Sequence, residues 1–143
     1  MRWQNLRNIF GERSARVVDE VPSIESRPLT AREMGWVRDI LLCNDEWRNA
    51  DISRTRVISE GPCAEGKSIF LQAPEPENPR AESERESVGN LWINTDEGGV
   101  INVQLSQFGG RLTEMYVRFI DAKHTKRKLP PSWVEVSRKA ADL

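Results

Sequence analysis

One histidine and two cysteines bound what this 143-residue chain can do by acid–base, nucleophilic or metal chemistry. His124 lies in the run Lys123-His124-Thr125-Lys126-Arg127-Lys128. A nucleophile working through a histidine base needs that imidazole, an orienting carboxylate and the nucleophile within hydrogen-bond reach. Asp121 is near in sequence, and Cys63 is a thiol that can complete the pair. An enzyme using Cys63 and His124 is therefore one reading, and an exposed loop histidine is the other. There is no Cys-x-x-Cys or His-x-x-x-His pair, and Cys43, Cys63 and His124 cannot fill a four-ligand structural zinc site without a carboxylate. Gly98-Gly99 and Gly109-Gly110 read as hairpin turns, and neither precedes the Lys-Ser/Thr of a phosphate-binding loop. Asp96 and Glu97 are adjacent, which suits turn chemistry better than an acid–base pair. The expected inventory is no metal, no cofactor and no convergent catalytic set.

Binding chemistry has more to work with. Arg118, Lys123, Lys126, Arg127 and Lys128 against Asp121 make residues 118–128 strongly basic. Such a run attracts phosphate or an acidic protein surface. Readers of nucleic acid usually add a basic whole domain and aromatics among the cations; here the net charge is −1 and no aromatic follows Phe119 in the run, so nucleic acid is not the expected partner. Lys123, His124, Lys126, Arg127 and Lys128 are instead candidates for contacting a protein. Trp92 and Trp133 would be anchors where exposed, although a place in the core is the expectation for Trp92.

These residues need elements to hold them. Thr30-Ala31-Arg32-Glu33 is a capping box with Leu29 and Met34 as a hydrophobic staple, and Met34, Val37, Ile40 and Leu41 mark one apolar face. That predicts a helix over 31–43, with Trp47 continuing the buried side. The period then drops to two. Arg54 to Ser59, closed by Gly61-Pro62, and Lys67 to Gln72 read as strands that form a hairpin. Val88 to Thr95, then Ile101, Val103 and Leu105 alternating with Asn102, Gln104 and Ser106, then Met115, Val117 and Phe119 make an antiparallel meander with one dry and one wet face. Leu112 falls out of phase with that last strand, and a bulge near Thr113 and Glu114 restores it to the dry face.

The flanks read differently. Residues 1–28 form a basic amphipathic arm and linker: Trp3, Leu6, Ile9 and Phe10 fall at helical spacing, and Arg2, Arg7, Arg13 and Arg16 outweigh Glu12. A helix of this kind docks on its own domain, on a partner or on a membrane surface. The stretch 74–87 holds Pro74, Pro76 and Pro79 with five Glu and two Arg in 75–86 and no large apolar side chain before Val88, so a mobile acidic loop is expected. Residues 137–143 read as a polar tail. No secretory signal is visible, and the longest apolar run, Ile40 to Cys43, is far short of the ~20 residues of a membrane span. A reducing cytoplasm with free thiols is the simplest compartment.

Arg27-Pro28-Leu29-Thr30-Ala31-Arg32-Glu33, Gly61-Pro62-Cys63 leading into Ser68-Ile69-Phe70-Leu71, Gly109-Gly110-Arg111-Leu112-Thr113-Glu114-Met115 and Leu129-Pro130 occur in that order. Over residues 27 to 136 the chain resembles a family of small uncharacterised bacterial domains of unknown function, with an Arg-Pro-Leu-Thr capped helix and a Gly-Arg-Leu hairpin. Members of that family often carry a cysteine cluster where this chain keeps only Cys63, with Glu65 and Lys67 at the neighbouring positions. The resemblance lends no activity.

The expected architecture is α+β: one main capped helix on an antiparallel sheet of about five strands in a single domain over 29–136, with the arm in front. The expected function is a non-enzymatic protein-interaction module, immunity-type or accessory. Its alternatives are the Cys63–His124 enzyme and a membrane-surface adaptor working through residues 1–18.

Overall fold

The computed structural model describes residues 23–63, 66–74, 86–96, 98–120, 126–127 and 133–141. The amphipathic arm at 1–18, the acidic stretch 75–85, and Lys123, His124 and Lys128 lie outside the described residues.

The capping box forms as its spacing requires. Thr30 Oγ1 accepts the N–H of Glu33 at 3.1 Å, and Glu33 Oε1 accepts the N–H of Thr30 at 2.8 Å. Helix α1 (Ala31–Leu42) follows, with Cys43 as its C-cap. It buries Trp36, Val37, Ile40 and Leu41. Asn44 fixes the exit: its side-chain N–H donates to the carbonyl of Val88, and its oxygen accepts from the N–H of Glu46. Trp47 does continue onto the core, partly buried.

The strands are β1 (Ser23–Pro28), β2 (Arg56–Cys63), β3 (Gly66–Gln72), β4 (Glu86–Thr95), β5 (Val100–Phe108), β6 (Arg111–Ile120), β7 (Lys126–Arg127) and β8 (Glu135–Ala141). Their order across the sheet is β1-β2-β3-β6-β5-β4-β8, every pairing is antiparallel, and the two-residue β7 pairs with the end of β6. The α+β class with one capped helix over an antiparallel sheet holds, but the main path has seven strands rather than about five. The two added strands are the edges. Ser23–Pro28 reads as linker and Glu135–Ala141 mostly as tail because an edge strand exposed on one side carries little apolar alternation to reveal it.

Two details of the hairpins follow from local chemistry. Gly109 and Gly110 adopt φ of 62° and 84°, and Phe108 pairs with Arg111 across this two-residue turn; positive φ at both central positions is what a hairpin turn of this twist demands. On β6, Ser106 faces Glu114 while Gln107 faces Leu112, so Thr113 is the extra residue of the expected bulge and Leu112 joins the buried face. The Gly61-Pro62 stop is corrected: β2 runs through both to Cys63. Pro62 pairs with Lys67 of β3, and proline is accommodated in a strand where its missing N–H is not required by the ladder.

The core lies between α1 and one face of the sheet, where Leu91, Ile93, Ile101, Val103, Leu105, Met115, Val117 and Phe119 meet Val37, Ile40 and Leu41. Arg27 ties β1 to the helix start and to β2. It donates to both oxygens of Glu33 at 2.8 and 3.1 Å and to Glu60 Oε2 at 2.9 Å, and Lys67 closes on Glu60 Oε1. Burial works against the charged form of Glu33, but the hydrogen bond from Arg27, the N–H of Thr30 and the attraction of the guanidinium outweigh it and hold the carboxyl below its ordinary 4.5. Glu60 is likewise depressed: burial opposes its charge, and the Lys67 and Arg27 contacts overcome it. A carboxyl that is more acidic when folded stabilises the protein above its unfolded pKa, and that contribution is lost as pH falls through the folded value. Urea midpoints should therefore stay level from pH 7 to about 5 and fall below the ordinary glutamate range near 4.5. Glu33→Gln should flatten part of that acid limb; an unchanged limb would mean that the network is not the source.

Candidate functional site

On the sheet face away from α1, β4 carries Asn90, Trp92 and Asn94 at alternate positions. Trp92 sits across from Asn102 of β5 on one side and Lys139 of β8 on the other, and Asn94 sits across from Ser137. Trp92 is 43% exposed, which corrects its expected burial. Period-two alternation puts Leu91 and Ile93 against the helix, and Trp92 necessarily takes the opposite side.

The ground around the indole is built from hydrogen-bonded polar groups. Asn102 is fully buried. Its oxygen accepts from Arg118 Nε at 3.2 Å and Nη2 at 2.5 Å, and its amide donates to Asn90 Oδ1 at 3.2 Å and to the carbonyl of Leu91 at 3.4 Å. Asn94 donates to Ser137 Oγ at 2.9 Å, linking β4 to β8. The Arg118 guanidinium lies 5.8 Å from the centre of the Tyr116 ring. The expected wet face of β5 is thus only partly wet: Asn102 and Ser106 are buried and Gln104 is half-buried. Polar alternation reports side-chain chemistry rather than exposure, and buried amides are stable where their bonds are made. Neither the Trp92 indole N–H nor the Lys139 ammonium bonds to any described residue. From Asn90 on, β4, β5 and β8 place amides, hydroxyls, one indole, one ammonium, Val100 and Ala141 on this face, with no carboxylate among the described side chains of these three strands.

The edge strand β8 is held from behind. Arg138 pairs with Asp39 of α1 at 3.3 Å and with Glu135 at 3.1 Å, and the Trp36 indole donates to Glu135 at 3.4 Å. Trp133 stacks on Trp36 with centroids 6.1 Å apart, and the Arg32 guanidinium lies 4.2 Å from the Trp133 ring centre. Trp133 is accordingly half-buried packing rather than a free anchor. The β4–β8 register slips between Asn94 and Thr95, which leaves Val136 as the extra residue, 67% exposed at this edge, with Val134 also exposed.

The other sequence candidates fall elsewhere. Cys63 ends β2 opposite Gly66 and is fully buried, whereas Cys43 is exposed at the helix cap. Lys126 and Arg127 form β7 beside Ile120 and Phe119. Of the described members of the basic run, Arg118 reaches the ground beside Trp92 through Asn102, whereas Lys126 and Arg127 lie in β7; the cation directly across from Trp92 is Lys139. Lys139 and Ser137 carried no signal, because Ala140 is the one small apolar residue of β8 on the core and a period of two cannot be read from it. Among the described residues no group of three or more His, Cys, Asp or Glu is placed to hold a metal, and no helix is long and apolar enough to cross a membrane.

Compared with known proteins, the chain matches no family model, no curated protein and no solved structure.

Proposed function

We propose that this protein is a non-enzymatic protein-interaction module, of immunity or accessory type, which meets an acidic partner surface through the β4–β8 side of its sheet. The observation that carries the reading is Trp92, 43% exposed beside the uncompensated Lys139 on a bonded amide floor. An exposed aromatic on a rigid support is the residue type that dominates binding energy at protein interfaces. A neighbouring cation with no carboxylate beside it steers an acidic partner and penalises a basic one. Val134 and Val136 add apolar area at the same edge. The enzyme reading draws no support from Cys63, whose thiol is sealed inside the sheet.

The test is site-specific photo-cross-linking in the native cell. A benzophenone side chain in place of Lys139 should capture one partner in a discrete adduct, and the same group in place of Arg38, on the exposed side of α1, should not. Equal labelling of many proteins from both positions would count against the proposal.

A further inference from the structure

At the β2–β3 side of the sheet, Arg54, Arg56, Gln72, Ala73 and Pro74 line an open cleft of about 240 Å³. Arg56 and Gln72 are cross-strand partners where β2 begins and β3 ends. Arg56 is oriented by β1: its Nε donates to Ser26 Oγ at 3.0 Å and its Nη2 to the Ser26 carbonyl at 2.8 Å. That leaves the two N–H bonds of Nη1 unused. Arg54 makes no hydrogen bond or ion pair with the described residues. Asp51, close in sequence, accepts the N–H of Ser53 on Oδ1 at 2.9 Å, and its carboxylate also feels the attraction of the Arg54 charge. Two guanidinium groups with unused N–H donors thus line one small space, with Asp51 offsetting part of the Arg54 charge.

We infer that this cleft binds a phosphate monoester as its dianion. Two arginines supply two positive charges, and guanidinium forks suit the oxygens of a phosphate. Arg54 and Arg56 Nη1 donate to the non-bridging oxygens, the Gln72 amide supplies a further donor, and Ala73 and Pro74 provide an apolar wall for the carbon on the ester oxygen. The volume is below the roughly 300–1,000 Å³ of pockets that enclose a drug-sized ligand, so the cleft takes the phosphate end of a molecule and leaves the rest outside. The inference is independent of the Trp92 surface, which lies on strands further along the sheet.

The test is a titration of the full ¹⁵N-labelled chain at pH 7.5 and constant ionic strength with methyl phosphate, inorganic phosphate and acetate, followed by amide chemical shifts. Methyl phosphate should give saturable shifts at Arg54, Gln72 and Ala73 and bind at least as tightly as inorganic phosphate. Acetate should give none. Arg54→Gln, which breaks no bond in the fold, should weaken methyl phosphate binding about tenfold, the size expected for losing one charged hydrogen bond. Absence of saturation, equal shifts with acetate, or an Arg54→Gln affinity equal to wild type would each overturn the dianion site. Binding of inorganic phosphate without methyl phosphate would overturn the ester assignment.

Discussion

Gly66→Ala should cost the fold about 3 kcal/mol or more, a loss at the upper end of what single substitutions do. Gly66 opens β3 and pairs with Arg118 of β6, deep in the sheet order. A methyl group there would overlap the carbonyl oxygen of Val117 and come within 3.0 Å of the Arg118 Cα. Both obstacles are backbone, so no rotamer change relieves them. The two strands must separate or slip, and Ser68 and Tyr116, the next pair facing away from the helix, separate with them. Because Arg118 also donates to Asn102, the damage should extend to the polar floor near Trp92. Urea unfolding followed by tryptophan fluorescence reads the loss directly. A change under about 1 kcal/mol would show that this junction yields more easily than its geometry indicates.

Ile40→Ala should destabilise by about 2–5 kcal/mol, the range for emptying a large aliphatic site in a packed core. Ile40 is fully buried in the middle of α1, among residues that join the helix to the strands behind Trp92. The substitution removes both the transfer energy of its methyl and methylene groups and the contacts of the walls around the space it leaves. Alanine has the higher helix propensity, but that difference is less than 1 kcal/mol and cannot offset the cavity. The helix is held at its start by the capping box and by Arg27, so the loss should appear as lower overall stability with helical content retained below the midpoint. A guanidinium midpoint equal to wild type would contradict the packing described for this face.

What the sequence revealed and what it hid follow the same physical division. The Thr30–Glu33 capping box, the Gly109-Gly110 turn and the bulge at Thr113 were legible because each depends on a few adjacent residues with a fixed local geometry. The three meander strands were legible because one face of each is dry. The edge strands β1 and β8 were not, since their backbone bonds are made with distant partners and their side chains are largely polar. Pro62 lies inside β2 because the pairing with β3 runs on to Cys63, which the local Gly-Pro signal does not record. Exposure of Trp92 is set by which face of the sheet the helix covers, which the expectation of a core tryptophan does not contain. Lys139 enters the candidate site only through the pairing of β8 with β4. Of the charged segments that segregate in the sequence, only Arg118 reaches the ground around Trp92, through Asn102; the cation directly across from the indole comes from β8.

The central claim, that the Trp92 side of the sheet is the partner-contacting surface, is tested most directly by the affinity of the cross-linked partner for Trp92→Ala. Truncating a buried aromatic anchor at an interface costs about 2–4 kcal/mol, so binding should weaken by roughly thirtyfold or more. The Trp92 side chain is exposed, so the variant should unfold at nearly the wild-type urea concentration. Arg38→Ala should bind as wild type does. Trp92→Ala that binds the partner within about twofold of wild type, in a chain shown to be folded, would contradict the account.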